Sequence, residues 1–491
     1  MISEMLRKAR DYEAENRPRI ASQLPYYHIT GGVGWINDPH GWAPYQGEYH
    51  LTFQYHPYTR QWGPMHWGHA KTKDFIKWEF LPCALAPDMD YDKDGCFTGA
   101  AVEMLDGRHL LMYTGVERTD IGDGRLEDRQ RQCLAIGDGL NYEKYEGNPV
   151  ITGEHVPEGH SIVDFRDPKM WIEGDTYYAV AVNRGPDGSG TILLYESKDG
   201  LNWKYNGTIA RNNWRYGIMW ECADFFRMDG KDLILHSAQD LQAEDLEFHA
   251  GNSTLIHIGH LDRENWEYHS ESIRAAEYGL DFYAPQTLEA YDGRRIMIGW
   301  MQSWESSREL QENLDFMGQM TIPRELKIID GRVCQLPVRE LENYRGECVA
   351  YKGVQVQKET VLEGIRGRCI DMTLDIFFDP ENPCDCFELK FAGDERFHST
   401  ITLRPQKGYI LLDRTYSGFR HDVVTTRKVP VDVGDKIKLR LLLDRYSAEL
   451  FVNEGQQAAS MVIYTRESAD GISMKADKAV TVDVEKYDLK F

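Results

Sequence analysis

The chain has 491 residues, of which 42% are apolar, and its 79 Asp and Glu against 56 Lys and Arg give a net charge of −23. Such a field repels nucleic acid and anionic membranes, so we expect neither as a partner, whereas a neutral carbohydrate is indifferent to it. The 9 scattered cysteines predict free thiols rather than a disulfide framework, and no Cys or His set has metal-ligand spacing, so we expect no metal and no cofactor.

The N-terminal segment MISEMLRKARDYEAENRPRI is charged throughout, which excludes a secretory signal and favours a short helix over about residues 3–16. No run approaches the roughly 18 apolar residues that a membrane span needs. We expect residues 1–24 to form a helical extension and the protein to be cytoplasmic.

A repeat follows, in which an Asp stands four residues before an aromatic residue. One such pair is typical of a turn followed by a strand, but four occur at near-constant spacing, with aromatic positions 64, 61 and 63 residues apart. The pairs are Asp74/Trp78, Asp138/Tyr142, Asp199/Trp203 and Asp262/Trp266. A period of this size with several short strands predicts a β-propeller. The segment from Phe282 to about Leu326 supplies a fifth unit, so we expect an all-β fold with a five-bladed β-propeller over residues 25–335.

The repeat stops near residue 340, and strand-like runs such as CFELKFAG, KIKLRLLLD and AVTVDVEKYDLKF follow. Val480, Val482 and Val484 alternate with polar residues, as in a half-buried strand. We expect a C-terminal β-sandwich over residues 345–491, which could also provide a homodimer contact.

Three acidic residues stand in unusual settings: Asp38 in GWINDPHGW, Asp167 in FRDPKMW and Glu221 in MWECADFF. A turn Asp or a solvated acid is the ordinary explanation for any one of them. However, they lie 36, 32 and 41 residues before the repeat Asp of their own units, so each stands at a similar position early in its unit. In a propeller they would converge on the central funnel, where mutual repulsion raises at least one pKa. An ionised and a protonated carboxyl group are what glycosidic cleavage requires.

The surrounding residues favour a sugar ligand over phosphate or metal, because tryptophan rings can stack on sugars and no Gly-rich phosphate loop is present. Trp35, Trp62 and Trp300 are candidate stacking residues, and Asn37, Gln54 and Arg166 can hydrogen-bond hydroxyl groups.

WINDPHG, FRDPKMW, WECADFF and CFTGAAV, in this order, resemble the motifs of glycoside hydrolase family 32, which contains invertases, fructan hydrolases and sucrose-6-phosphate hydrolases. DFYAPQT and DRYSAELFVNEG are similar too, so the resemblance covers nearly the whole chain. It implies a five-bladed propeller followed by a β-sandwich. The sequence departs from the family pattern at His40, which stands in place of Asn, at Thr98 in place of Ser, and at Ala223 in place of Pro.

The resemblance also assigns catalytic roles: Asp38 as nucleophile, Glu221 as acid/base and Asp167 as a stabiliser of the transition state. The expected substrate-binding residues are Trp35, Asn37, Gln54, Trp62, Phe97, Thr98, Arg166, Tyr283 and Trp300.

We therefore expect a retaining β-fructofuranosidase that acts on sucrose and short fructooligosaccharides, with sucrose 6-phosphate, inulin-type and levan-type substrates left open. One alternative is a fructosyltransferase, which passes the fructosyl unit to another sugar. A second is a non-catalytic carbohydrate-binding protein, which would have no need of three carboxyl groups.

Overall fold

The computed structural model describes residues 2–305, 314–418 and 424–491 and is mostly β. Its helix α1 (Glu4–Ile20) begins at Ser3, whose hydroxyl accepts the N–H of Leu6. α1 extends beyond the predicted end near residue 16 because Glu13 and Arg17 pair with each other and both bind the backbone of the first sheet, at Cys83 and Leu81. Short 3-10 helices span Ala21–Gln23, Gly153–His155, Arg339–Tyr344 and Pro405–Lys407.

Within the described residues, the strands between 34 and 337 form five sheets in chain order, antiparallel except for one short strand of the first sheet. The first contains β1 (Gly34–Tyr45), β2 (Glu48–His56), β3 (His66–Thr72) and β4 (Trp78–Leu85). The second contains β5 (Gly95–Glu103), β6 (His109–Asp120), β7 (Leu126–Gly137) and β8 (Tyr142–Lys144). The third contains β9 (Phe165–Glu173), β10 (Thr176–Arg184), β11 (Gly190–Ser197) and β12 (Lys204–Arg211). The fourth contains β13 (Trp220–Met228), β14 (Lys231–Leu241), β15 (Gly251–Asp262) and β16 (Glu267–Ala275). The fifth contains β17 (Tyr283–Glu289), β18 (Arg295–Trp300), β20 (Arg324–Ile329) and β21 (Arg332–Pro337). β19 (Phe316–Met317) lies between β18 and β20 in the chain but belongs to the first sheet.

The first strands of these sheets contact one another in a closed cycle, from β1 to β5, β9, β13, β17 and back to β1. β19 pairs in parallel with β1 and so joins the end of this region to its beginning. The cycle brings five segments that are distant in sequence around one centre.

The repeated Asp has the same task in four sheets: it closes the turn between the third and fourth strands. Each carboxylate accepts backbone N–H groups two and three residues later, as in an Asx-turn. The acceptor and donor sets are Asp74 with Ile76 and Lys77, Asp138 with Leu140 and Asn141, Asp199 with Leu201 and Asn202, and Asp262 with Glu264 and Asn265.

The fifth sheet closes the corresponding turn in another way. Asp330 and Gly331 both have positive φ, 50° and 73°, and form a two-residue connection between β20 and β21. The repeat motif is therefore absent from this sheet, which ends at Pro337 rather than near Leu326; residues 306–313 of the predicted fifth unit lie outside the described residues.

The C-terminal strands form two further sheets that share one apolar core. One sheet has the order β22-β32-β23-β28-β29-β30 and the other the order β27-β26-β25-β24-β31. The strands are β22 (Arg345–Val356), β23 (Ile370–Phe377), β24 (Phe387–Gly393), β25 (Ser399–Arg404), β26 (Tyr409–Asp413), β27 (Thr426–Pro430), β28 (Lys436–Asp444), β29 (Ser447–Val452), β30 (Gln457–Val462), β31 (Gly471–Ala476) and β32 (Val480–Leu489). Val480, Val482 and Val484 point inward on β32, as their alternation predicts.

A buried ionic cluster joins the two regions. His28, which precedes β1, hydrogen-bonds through Nδ1 to Asp444 (2.8 Å) and through Nε2 to Glu449 (2.7 Å). Arg324 of β20 also binds Glu449. All four side chains are buried, so each charge depends on its partners rather than on water.

Candidate active site

The first strand of each of the five sheets contains a β-bulge near its N-terminal end. β-bulges re-aim side chains and are common beside active sites. In each sheet, the pairing between the first and second strands leaves one or two residues of the first strand unpaired. These residues are predicted site residues or lie next to one. The skipped residues are Asn37 and Asp38 on β1, Thr98 on β5, Asp167 and Pro168 on β9, Cys222 and Ala223 on β13, and Ala284 and Pro285 on β17.

Asp38 lies in the β1 bulge, and each of its two carboxyl oxygens accepts a hydrogen bond. Its Oδ1 accepts from Asn37 Nδ2 (3.0 Å), and its Oδ2 accepts from the Thr98 hydroxyl (2.6 Å). Asn37 is in turn fixed by the indole N–H of Trp35 (2.8 Å). This network sets the orientation of the Asp38 carboxyl group.

Asp167 lies deeper, and its Oδ2 accepts the backbone N–H of Cys222 (3.0 Å). The thiol of Cys222 lies between two carboxyl groups, 3.5 Å from Asp38 Oδ2 and 3.7 Å from Asp167 Oδ2. Since Cys222 directly follows Glu221, these contacts bring the β1, β9 and β13 carboxyl groups into one cluster.

Glu221 is fixed by donors on both oxygens. Arg166 Nη2 donates to Oε1 (3.1 Å), and the Tyr283 hydroxyl donates to Oε2 (2.8 Å). Arg166 itself is held by Asp164 (3.1 Å). The side chain of Glu221 keeps 16% of its surface exposed, which leaves it reachable by a ligand.

The electrostatics of this cluster favour a retained proton, because three carboxyl groups face one guanidinium. Burial raises the pKa of Asp38; the Thr98 hydrogen bond opposes this and Glu221 adds to it. Burial likewise raises the pKa of Asp167 to about 7; Arg166 opposes this, and Glu221 and Asp38 add to it. Burial is thus the first cause of both raised pKa values, and the mutual repulsion expected for converging carboxyl groups adds to it.

The other predicted substrate-binding residues differ in their exposure to solvent. Gln54 on β2 is buried opposite the Asn37–Asp38 bulge and donates to the carbonyl of Cys96 (3.0 Å). Trp62 is 40% exposed and meets Phe97 edge to face, so both rings border the opening. Trp300 has no exposed surface and packs against Trp35, which is 4% exposed. Trp300 therefore lies behind Trp35, and Trp62 is the most exposed of the three rings.

Sequence reasoning missed three residues of this site. Cys222 lies between two carboxyl groups, Thr114 accepts the N–H of Asp167 (3.1 Å), and Asp164 holds Arg166. Cys222 stands next to Glu221 in the motif and could have been included on that ground. Thr114 gives no sequence signal, because its place on β6 is set by strand pairing alone.

Among the described residues, no group of three or more His, Cys, Asp or Glu is arranged to hold a metal ion. In the same part of the chain, no helix is long and apolar enough to span a membrane.

A pair of fixed carboxyl groups beside a third, with aromatic rings at the opening, is the arrangement of a glycoside hydrolase. The sequence matches the N-terminal domain of glycosyl hydrolases family 32 over residues 28–337 and the C-terminal part of that family over residues 340–490. The chain belongs to glycoside hydrolase family 32.

Similar proteins include the sucrose-6-phosphate hydrolase of Escherichia coli, 33% identical with 93% of each chain covered. The raffinose invertase of Escherichia coli is 34% identical with 92% of each chain covered. Among solved structures, a family 32 β-fructofuranosidase of Bombyx mori has a TM-score of 0.84 and 33% identity, covering 99% of this chain and 98% of its own. A mutant of that enzyme has been solved in complex with sucrose.

Proposed function

We propose that the protein is a retaining β-fructofuranosidase, which hydrolyses the terminal β-D-fructofuranosyl linkage of sucrose and short fructooligosaccharides. The observation that carries this proposal is the clustering of Asp38 and Glu221 around Cys222, each fixed by hydrogen bonds from neighbouring strands. The similarity to an invertase and to a β-fructofuranosidase supports the same reaction.

In the first step, ionised Asp38 attacks the anomeric carbon of the fructosyl unit while Glu221 gives its proton to the departing oxygen. The bond to the leaving sugar breaks and a covalent fructosyl-enzyme forms. Glu221 then takes a proton from water, which attacks the same carbon and releases fructose and Asp38. This route requires carboxyl groups about 5–5.5 Å apart.

Asp167 and Arg166 would bind hydroxyl groups and stabilise charge without changing their own bonds. Arg166 already spans Asp164 and Glu221, so it can also keep Glu221 in place as the substrate enters. Around the fructosyl unit we place the remaining candidates, namely Trp35, Asn37, Gln54, Trp62, Phe97, Thr98 and Tyr283, with Trp300 behind Trp35.

Sucrose 6-phosphate is the second candidate substrate, because several similar proteins are named for its hydrolysis. A panel of sucrose, its 6-phosphate, kestose and levan oligomers, compared by kcat/KM, would separate the two. Product analysis at high sucrose would reveal fructosyl transfer as trisaccharide formation.

We further propose that the five sheets between residues 34 and 337 are the blades of a five-bladed propeller over residues 25–335. The closed cycle of first strands supports this. The boundaries 1–24 for the helical extension and 345–491 for the sandwich accord with the two family matches at 28–337 and 340–490.

The nine cysteines are all free thiols, which suits a reducing compartment and supports a cytoplasmic enzyme. A homodimer formed through the sandwich stays a prediction, which sedimentation of the intact chain would test.

The test compares Glu221→Gln and Asp38→Asn with the wild type on sucrose and on an aryl fructoside. Glu221→Gln should lower the rate on sucrose by roughly 10²–10⁴-fold, the usual worth of general acid–base catalysis. The loss should be smaller on the aryl fructoside, whose leaving group needs less protonation. Asp38→Asn should abolish turnover of both substrates.

Glu289→Gln, at the far end of β17, is the matched control and should keep wild-type rates. Equal losses on both substrates in Glu221→Gln, or near-normal turnover in Asp38→Asn, would refute these roles.

A further inference from the structure

His40, which replaces the usual Asn of the family motif, lies behind the site rather than in it. It follows Asp38 by two residues on β1, has no exposed surface and packs its ring against Trp67, with 4.0 Å between ring centroids. A side chain so placed cannot touch a sugar. Any effect on the reaction must pass through a neighbour.

The hydrogen bonds around His40 select one tautomer. The Thr52 hydroxyl donates to the backbone carbonyl of His40 (3.0 Å), so its oxygen must accept at the contact with His40 Nδ1 (2.8 Å). The ring is neutral because burial lowers the pKa of His40 well below its usual value. With the proton on Nδ1, the other nitrogen, Nε2, is an acceptor.

Nε2 of His40 faces the amide of Gln54. Gln54 Nε2 lies 3.4 Å from it and 3.0 Å from the carbonyl oxygen of Cys96. A carbonyl only accepts, so the amide nitrogen must be at this end, and its two N–H groups serve these two acceptors. The amide oxygen Oε1 then remains to accept a hydrogen bond from a ligand.

We propose that His40 is a positioning residue that holds the Gln54 amide so that Oε1 faces a hydroxyl group of the fructosyl unit. The proposal rests on the proposed function and deepens it, since Gln54 opposes the bulge that carries Asp38. Without His40 Nε2 as an acceptor, one N–H of the buried Gln54 amide has no hydrogen-bond partner. The amide is then no longer held in this orientation.

The test is a double-mutant cycle of His40→Leu and Gln54→Met, measured as kcat and KM on the fructoside that the wild type cleaves. His40→Leu should lower kcat/KM roughly 3- to 10-fold, the worth of about one neutral hydrogen bond. The loss should lie mainly in KM, because Gln54 does not touch the bond that breaks. In the Gln54→Met background, His40→Leu should cause no further loss.

Two additional variants separate positioning from folding. Thr52→Val keeps the shape but removes the hydroxyl that fixes the His40 tautomer, so it should shift KM in the same direction even if His40→Leu does not fold. His50→Leu removes another buried imidazole of the same sheet, which pairs with His69 (3.0 Å), and should leave KM unchanged.

Additive losses in the cycle, or a KM that is unchanged in His40→Leu and Thr52→Val, would overturn the proposal. An unchanged KM in Gln54→Met would overturn it as well, while leaving fructoside hydrolysis intact. If the wild type cleaves no fructoside, the proposed function itself fails, and that result appears before any variant is measured.

Discussion

The ionic cluster between the two regions predicts a loss of stability at alkaline pH that depends on His28. Burial alone would lower the pKa of His28, but the hydrogen bonds to Asp444 and Glu449 outweigh it and raise the pKa to about 9. Against a value of 6.5 in the unfolded chain, this corresponds to about 3 kcal/mol of stabilisation. Because the folded chain binds the proton more tightly, the stabilisation is complete below pH 6.5 and is lost as pH rises to 9.

The assay is urea unfolding followed by tryptophan fluorescence at pH 6 and pH 9.5, on the wild type and His28→Gln. At pH 6 the variant should be less stable by about 3–5 kcal/mol, since buried Asp444 loses its cationic partner and Glu449 keeps only Arg324. At pH 9.5 the difference should shrink by about 3 kcal/mol. His260→Gln, an exposed histidine on β15, is the control and should show no such change. A constant difference between wild type and His28→Gln at both pH values would refute the assignment of a charged His28.

Thr98→Val removes a donor to Asp38 and should raise the pKa of that carboxyl group further, which moves the acid limb of the kcat/KM profile to higher pH. An unmoved limb would show that Asp38 does not set it. Asp199→Ala leaves two turn N–H groups without their acceptor and should cost about 1–2 kcal/mol, seen as a lower Tm, with kcat on sucrose unchanged.

The repeat was predictable from sequence because its Asp performs a local task. A carboxylate that accepts N–H groups two and three residues later needs only its own turn, so the motif survives in every sheet that uses this turn. The fifth sheet lacks the motif because its corresponding turn is formed by two residues, Asp330 and Gly331. The extra residues of α1 were also missed, since they are held by contacts to Cys83 and Leu81, far away in the sequence.

The acids of the site could be picked out by their phase in the repeat, but their surroundings could not. His28 lies more than 400 residues before Asp444 and Glu449 in the chain and shares no motif with them. Sequence does not distinguish an exposed ring, such as that of Trp62, from one with no exposed surface, such as that of Trp300. Contacts that arise from the closing of the strand cycle leave no periodic signal.

The bulges of the first strands are also where the carboxyl groups of the candidate site lie. Asp167, Cys222 and Ala284 have φ of 57°, 51° and 50°, a conformation that costs about 1–2 kcal/mol for a residue with a side chain. In each case a side chain accepts the N–H of the strained residue: the hydroxyl of Thr114 for Asp167, the carboxylate of Asp167 for Cys222, and the hydroxyl of Ser237 for Ala284.

Asp167 thus stabilises the bulge that directs Glu221, besides lying in the same carboxyl cluster. Its carboxylate links the position of Glu221 to that of β9, and the Thr98 hydroxyl links Asp38 to β5 in the same way. Each carboxyl group is therefore oriented by a strand other than its own. In the cycle of first strands, every strand has a neighbour on both sides. A carboxyl group on one strand can therefore be oriented by a side chain or backbone group of the next.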